Sequence, residues 1–181
     1  MLTPLCELAR RFDTDKGPGQ HEYTPIYTRH LDDIREGVRE VLEIGVFRGA
    51  SLRMWEAWFP TATITGIDID KESALNEGRI RTVIQDVKEY QPDRSVDLIV
   101  DDGSHDTRDI PAAGERLLPA LNPGGWYVIE DLAVVSPDST AFALIESVIE
   151  DLATDRECLI SEVHIYPQLV FLRRHPLKGE T

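Results

Sequence analysis

The sequence predicts an α/β fold: a mostly parallel seven-stranded sheet with helices on both faces and an antiparallel C-terminal hairpin. Three observations carry this. Five short runs rich in β-branched and aliphatic residues recur along the chain: EVLEIGV (40–46), TITGIDI (63–69), TVIQDV (82–87), VDLIVDD (96–102) and GWYVIED (125–131). Helical patterns lie between them, and strands alternating with helices demand right-handed crossovers and a parallel sheet. The alternation then breaks. CLISEVHIY (158–166) and QLVFLRR (168–174) are separated by little more than Pro167, which reads as a hairpin.

Several of the first five runs are almost continuously apolar, as strands buried on both faces are. In TPIYTRHLDDIREG (24–37), Thr24 stands as N-cap, Pro25 at the first helical position and Gly37 as the stop. Its residues Ile26, Tyr27, His30, Leu31 and Ile34 share one face. SLRMWEAWFP (51–60) presents Leu52, Trp55, Trp58 and Phe59 before Pro60 ends it. IPAAGERLLPALNPGG (110–125) spaces Ile110, Ala113, Leu117 and Leu121 helically, with Pro119 disturbing the last turn and Asn-Pro-Gly-Gly closing it. STAFALIESVIEDLA (139–153) does the same with Ile145, Val148, Ile149 and Leu152.

At 181 residues the chain suits one domain. A net charge of −14 argues against a nucleic-acid partner, because phosphate backbones are gripped by clustered Lys and Arg. No run approaches ~20 apolar residues, so no membrane span is expected. The N-terminus lacks the basic start and apolar core of a signal peptide. Cys6 and Cys158 have no metal-type spacing and read as thiols of a cytoplasmic protein.

LEIGVFRGAS follows the first strand and opens a helix. Glycines there let backbone amides approach a ligand at a helix N-terminus. Gly45 and Gly49 are present, and Phe47 occupies the place of a middle glycine. The plain alternative is a tight turn and nothing more. Around this loop Glu43 lies inside the first strand, Asp68 ends the second, where an acid can hold ribose hydroxyls, and Gln85-Asp86 ends the third. Open α/β sheets bind ligands at the carboxyl ends of their strands. Acids without a basic phosphate partner suit S-adenosylmethionine better than a dinucleotide.

Strand four ends in Asp101-Asp102-Gly103-Ser104-His105 and strand five in Glu130-Asp131. Read singly, these are turns, helix caps and a solvated histidine. Read together at neighbouring strand ends, they are carboxylates whose mutual repulsion a hard divalent cation would relieve, and an all-oxygen set points to Mg²⁺.

The segments LEIGVFRGASLRMW, TGIDID, DLIVDDGSH and NPGGWYVIEDL together resemble the Mg²⁺-dependent class I S-adenosylmethionine O-methyltransferases that act on sugar hydroxyls, the macrolide and tetracenomycin enzymes among them. DTDKGPGQHEYTPIY (13–27) resembles an element that precedes the first strand in that family. The resemblance implies a Rossmann-like class I methyltransferase fold over a single domain, 1–181, with 1–37 a helical cap and 38–175 the core. It implies metal ligation by Asp102, Glu130 and Asp131. It makes His105 the general base that takes the proton from the acceptor hydroxyl. It places Glu43, Gly45, Gly49, Ser51, Asp68, Gln85, Asp86 and Asp101 around S-adenosylmethionine, with Thr14, Lys16, Tyr23 and Tyr27 closing over it. The tyrosines read equally as core residues of a helix. The sequence departs from the family at Phe47 and has no room for the extra N-terminal region of the macrolide enzymes. The implied acceptor is a glycoside, oligosaccharide or polysaccharide precursor, and a homodimer is left open. A catechol or phenol methyltransferase follows the same diol logic. A non-catalytic or nucleotide-binding Rossmann-like domain is the alternative from another class.

Overall fold

The structure, a computed structural model, describes residues 2–104, 109–132, 141–154 and 158–176. The chain divides into two compact units, Met1–Ile84 and Gln85–Thr181.

The first unit holds α1 (Pro4–Phe12), α2 (Thr24–Leu31), β1 (Glu40–Ile44), α3 (Ala50–Trp58), β2 (Thr63–Asp68) and β3 (Ile80–Ile84). β2 pairs in parallel with β1 and with β3. Helix α1 falls in the segment 1–37 expected to be a helical cap, where the sequence reading places no individual helix before Thr24, although its start has the usual signal: the Thr3 hydroxyl accepts from the Cys6 amide and Pro4 opens the first turn. It packs on α2 and α3. The core between them includes Leu5, Ala9, Tyr27, Trp55 and Phe59, all fully buried, with Tyr27 edge-on to Trp55 at 4.9 Å. Two expectations for α2 are corrected. Thr24 is not the N-cap. Tyr23 holds that position, and the buried Thr24 hydroxyl donates instead to Cys6 Sγ at 3.2 Å. The helix ends at Leu31, because i→i+3 bonds such as Gly37 N–H to Ile34 O at 2.8 Å take over before Gly37. Both cysteines are free thiols.

Arg79 staples this unit. Its guanidinium donates to the carbonyls of Phe59 (2.9 Å), Ala62 and Glu56, while its backbone N–H donates to Glu56 Oε1 at 2.6 Å. The contacts to Glu56 and Phe59 satisfy carbonyls at the C-terminal end of α3 that the helix leaves unpaired. Arg79→Ala is expected to cost about 2 kcal/mol of stability, the order of charge-assisted hydrogen bonds offset by side-chain entropy. Urea unfolding measures it, and an unchanged midpoint would contradict the role.

β3 begins and ends earlier than the expected 82–87. The chain leaves the strand because the Asp86 carboxylate accepts from the Lys88 N–H at 2.9 Å and closes a turn. Gln85 and Asp86 therefore sit just past the strand end.

The second unit holds β4 (Val96–Asp101), α4 (Asp109–Leu117), β5 (Leu121–Ile129), α5 (Ala141–Ala153), β6 (Ile160–Tyr166) and β7 (Leu169–Arg174). The expected start of α5, Ser139, lies outside the described residues. β4 and β5 are parallel, and β7 runs antiparallel to both β5 and β6. The hairpin turns at Gln168, whose φ is 65°. Pro119 does break the helix, which gives way to a single 3₁₀ turn over Leu118–Ala120. Asn-Pro-Gly-Gly, expected to close that helix, instead lies inside β5. The pairing is irregular between Val96 and Leu98, which absorbs the proline, and a Cβ on Gly125 would stand 2.7 Å from the Asp97 carbonyl.

The seven strands make the predicted mostly parallel α/β sheet with an antiparallel C-terminal hairpin and helices around it. Among the described residues no helix is long and apolar enough to cross a membrane.

Candidate functional site

In the first unit β1 runs into a loop with three left-handed residues, Gly45 (φ 88°), Phe47 (φ 48°) and Gly49 (φ 70°). Phe47 adopts the conformation a middle glycine would have allowed, at a backbone cost of roughly 1–2 kcal/mol. Its ring is 76% exposed, with the Arg48 guanidinium 5.1 Å from its centre. Asp68 offsets the strain. Its Oδ2 accepts from the Val46 and Phe47 amides at 2.9 and 3.2 Å, and its Oδ1 from the Asp70 amide at 2.9 Å. Partial burial opposes ionisation of Asp68, but the amides of Asp70, Val46 and Phe47 with the Ser73 hydroxyl overcome it and hold the carboxyl below its usual range. Asp68 thus shapes the glycine loop through its backbone. Ser51 sits half-buried in the first turn of α3.

Glu43 is fully buried in β1, and Lys16 Nζ lies 3.4 Å from its Oε1 with only 1% of the lysine side chain exposed. Thr14, Tyr23 and Tyr27 are buried too; Tyr23 stacks on His21 at 5.2 Å and Tyr27 belongs to the aromatic core.

In the second unit the ends of β4 and β5 are tied by the Glu130 N–H donating to the Asp101 carbonyl at 3.0 Å. This puts Asp101-Asp102 beside Glu130-Asp131. Asp101 and Glu130 are buried, Asp102 and Asp131 half-buried, and Asp131 takes a left-handed φ of 57°. The Asp101 carboxyl is pushed up to about 7, chiefly by burial. The Tyr127 hydroxyl, donating at 2.8 Å, and the Gly103 amide pull it down, while the charges of Asp102 and Asp109 push it up. Tyr127 itself is raised well above its ordinary value by burial and by Asp101, so it stays a donor. The sequence reading missed it; a lone hydroxyl in the apolar run GWYVIED was the available signal. Also missed was a polar chain at the start of α4: Ser104 Oγ donates to Asp109 Oδ2 at 2.7 Å, and Lys88 Nζ donates to Asp109 Oδ1 at 2.9 Å while standing 3.4 Å from Asp86. His105 lies outside the described residues.

The donor set fits a hard divalent cation in its chemistry: oxygen ligands only, on two hydrogen-bonded strand ends, with the charge of Asp102 adding to the burial that raises Asp101. Among the described residues no three His, Cys, Asp or Glu side chains converge into a ready-made cluster.

A pH dependence follows. The usual carboxyl value of Asp101, 3.8, is raised to about 7, so the folded state holds a proton the unfolded chain has lost. That contribution to stability is complete below pH ~4 and disappears as pH rises through ~7. The metal-free protein should lose thermal stability across this window, and Asp101→Asn should flatten the profile. Identical profiles for variant and parent would count against a buried, protonated Asp101.

A seven-stranded sheet of this topology, with a glycine loop after β1 and acids at successive strand ends, defines the Rossmann-like class I methyltransferase fold. A family model described as a methyltransferase domain matches residues 42–132, half of the chain, and the chain belongs to that family. It is 39% identical over 145 residues to mycinamicin VI 2''-O-methyltransferase of Micromonospora griseorubida, covering 71% of this chain and 36% of the relative. It is 30% identical over 213 residues to the 8-demethyl-8-alpha-L-rhamnosyl tetracenomycin-C 2'-O-methyltransferase of Streptomyces olivaceus, covering 97% of this chain and 56% of the relative. Among solved structures, MycE methyltransferase from the mycinamycin biosynthetic pathway, in complex with Mg and SAH, superposes with a TM-score of 0.86 at 32% identity over 100% of this chain and 57% of that one. The chain spans about half the length of the curated relatives it matches and of MycE, or less.

Proposed function

We propose that the protein is an S-adenosylmethionine- and Mg²⁺-dependent O-methyltransferase acting on a sugar hydroxyl of a small-molecule or oligosaccharide acceptor. The observation that carries the reading is the pairing of Asp101-Asp102 with Glu130-Asp131 at adjacent strand ends. The likeness to MycE, whose structure contains Mg, SAH and in one case mycinamycin VI, supports it.

In this reading Glu43, the Gly45–Gly49 loop, Ser51, Asp68, Gln85, Asp86 and Asp101 surround the cofactor, which supplies an electrophilic methyl group on a sulfonium. Thr14, Lys16, Tyr23 and Tyr27 support that half from the N-terminal segment. Asp102, Glu130 and Asp131 would hold Mg²⁺, which when bound lowers the pKa of a hydroxyl and orients it. His105, as general base, accepts the acceptor's hydroxyl proton. Asp68 keeps the loop amides in place through the bonds described above, so that half of the site is preorganised.

The test is a calorimetric titration with S-adenosylhomocysteine, with Mg²⁺ and with chelator, followed by methyl transfer to glycosides and catechols. Micromolar binding, with glycoside methylation that collapses in chelator, is expected. Absence of binding would refute the methyltransferase reading and favour a non-catalytic domain. Transfer to catechols with inert glycosides would select the phenol enzyme instead.

A further inference from the structure

A turn over residues 86–90 holds α4 at both ends. The Asp86 carbonyl accepts from the Glu89 and Tyr90 N–H groups at 2.9 and 3.2 Å, which closes the turn. At the last turn of the helix, Arg116 Nε donates to the Tyr90 carbonyl at 2.5 Å and Arg116 Nη2 to the Glu89 carbonyl at 3.1 Å. At the first turn, Lys88 Nζ donates to Asp109 Oδ1 at 2.9 Å. Asp86 aims that lysine. Its Oδ1 accepts from the Lys88 N–H at 2.9 Å and its Oδ2 stands 3.4 Å from Nζ, so one carboxylate grips both ends of the residue. Two attachments roughly 10 Å apart along a helix fix its direction as well as its place. The contacts continue past α4. Asp109 Oδ2 accepts from Ser104 Oγ at 2.7 Å, so the two oxygens of one carboxylate join Lys88 to the residue two positions after Asp102. Lys88 has 47% of its side chain exposed, and an exposed ion pair adds little to stability. Its effect lies in geometry: it fixes Asp109, and Asp109 fixes Ser104.

We infer that Lys88 is a positioning residue for the metal half of the site, acting through Asp109 and Ser104 to hold the chain that follows Asp102. The inference rests on the methyltransferase reading and adds to it a residue outside the cofactor and metal sets. Charge alone predicts the opposite behaviour. A cation beside the carboxylates repels Mg²⁺, so its removal tightens metal binding. Removal of a clamp weakens binding, because Ser104 and Asp109 must then be ordered at the moment the metal arrives. The sign of the change separates the two.

The test is a calorimetric titration of Mg²⁺ into the full chain saturated with S-adenosylhomocysteine. Lys88→Met should weaken Mg²⁺ affinity by about tenfold, the order of freeing two ordered side chains. The same change should lower the metal-free thermal midpoint by no more than about 3 °C. Lys88→Arg keeps the charge and the donors and should bring the affinity back to within about threefold of the parent. Ser104→Ala should weaken Mg²⁺ binding in the same way. The double variant, Lys88→Met with Ser104→Ala, should lose no more than the larger single loss, since both side chains act through one carboxylate. Unchanged or tighter Mg²⁺ binding in Lys88→Met, or losses that multiply in the double variant, would overturn the clamp and leave the methyltransferase reading standing. Failure of the parent to bind S-adenosylhomocysteine would overturn the methyltransferase reading, and the positioning role with it.

Discussion

Asp102→Asn is expected to cut Mg²⁺-dependent methyl transfer by roughly 100-fold, the order seen when one preorganised electrostatic group is removed from an active site. The same change should leave the metal-free protein as stable as the parent or slightly more so. The reason lies next door. The charge of Asp102 is one of the causes that hold the buried Asp101 carboxyl up near 7. Taking that charge away relieves a repulsion and removes no apolar contact. A residue placed for structure behaves the other way, losing stability and activity together. The measurement is a pair: initial rates across a Mg²⁺ series, and thermal midpoints in chelator. Retained Mg²⁺ dependence would remove Asp102 from the proposed ligands, and a large stability loss would make it a structural acid. Magnesium should also raise the midpoint of the parent by mass action and do less for the variant.

The parts of the fold that were legible in the sequence are those governed by local pattern. Buried parallel strands are continuous apolar runs, so β1, β2 and β4 were placed to within two residues. Pro167 between two β-branched runs marked the hairpin, and Pro119 marked a disturbance in the fourth helix, which in fact ends at Leu117. Two of the misreadings share a cause, which is that a distant partner outweighed local preference. Thr24 has the chemistry of an N-cap, but Cys6, far away in sequence, takes its hydroxyl. Asn-Pro-Gly-Gly has the chemistry of a loop, but Asp97 pairs with Asn122 at 2.7 Å and draws the segment into β5.

The candidate site shows the same division. Acids at strand ends are visible as letters. That Phe47 can replace a glycine is not, because the compensation comes from Asp68 on the next strand. Tyr127 and Lys16 were hard to place for a related reason: a polar group in an apolar surrounding takes its meaning from the partner it reaches, and pairing is a property of the fold.

Lys16→Met is expected to destabilise the protein by about 3–5 kcal/mol, the cost of leaving a buried charge without its counterpart. Lys16 and Glu43 have 1% and 0% of their side chains exposed, with 3.4 Å between Nζ and Oε1. Both ions have given up most of their hydration, so each is tolerated chiefly because the other is there. Glu43→Gln alone should therefore also be costly. The double variant, Lys16→Met with Glu43→Gln, should recover a substantial part of the loss, since it leaves no buried charge behind. Urea unfolding of the four proteins closes the cycle. Simple additivity of the two single losses would show that the side chains act independently and that the pair is not a unit. The location adds a functional consequence. The Lys16 carbonyl also accepts from the Thr24 N–H at 3.1 Å, so this residue ties the segment before α2 to β1 two positions ahead of Gly45. A strap fixed there sets where the glycine loop begins. Under conditions where Lys16→Met is still folded, its affinity for S-adenosylhomocysteine should fall by about tenfold or more. Unaltered affinity in the folded variant would confine the pair to stability and detach it from the cofactor half of the site.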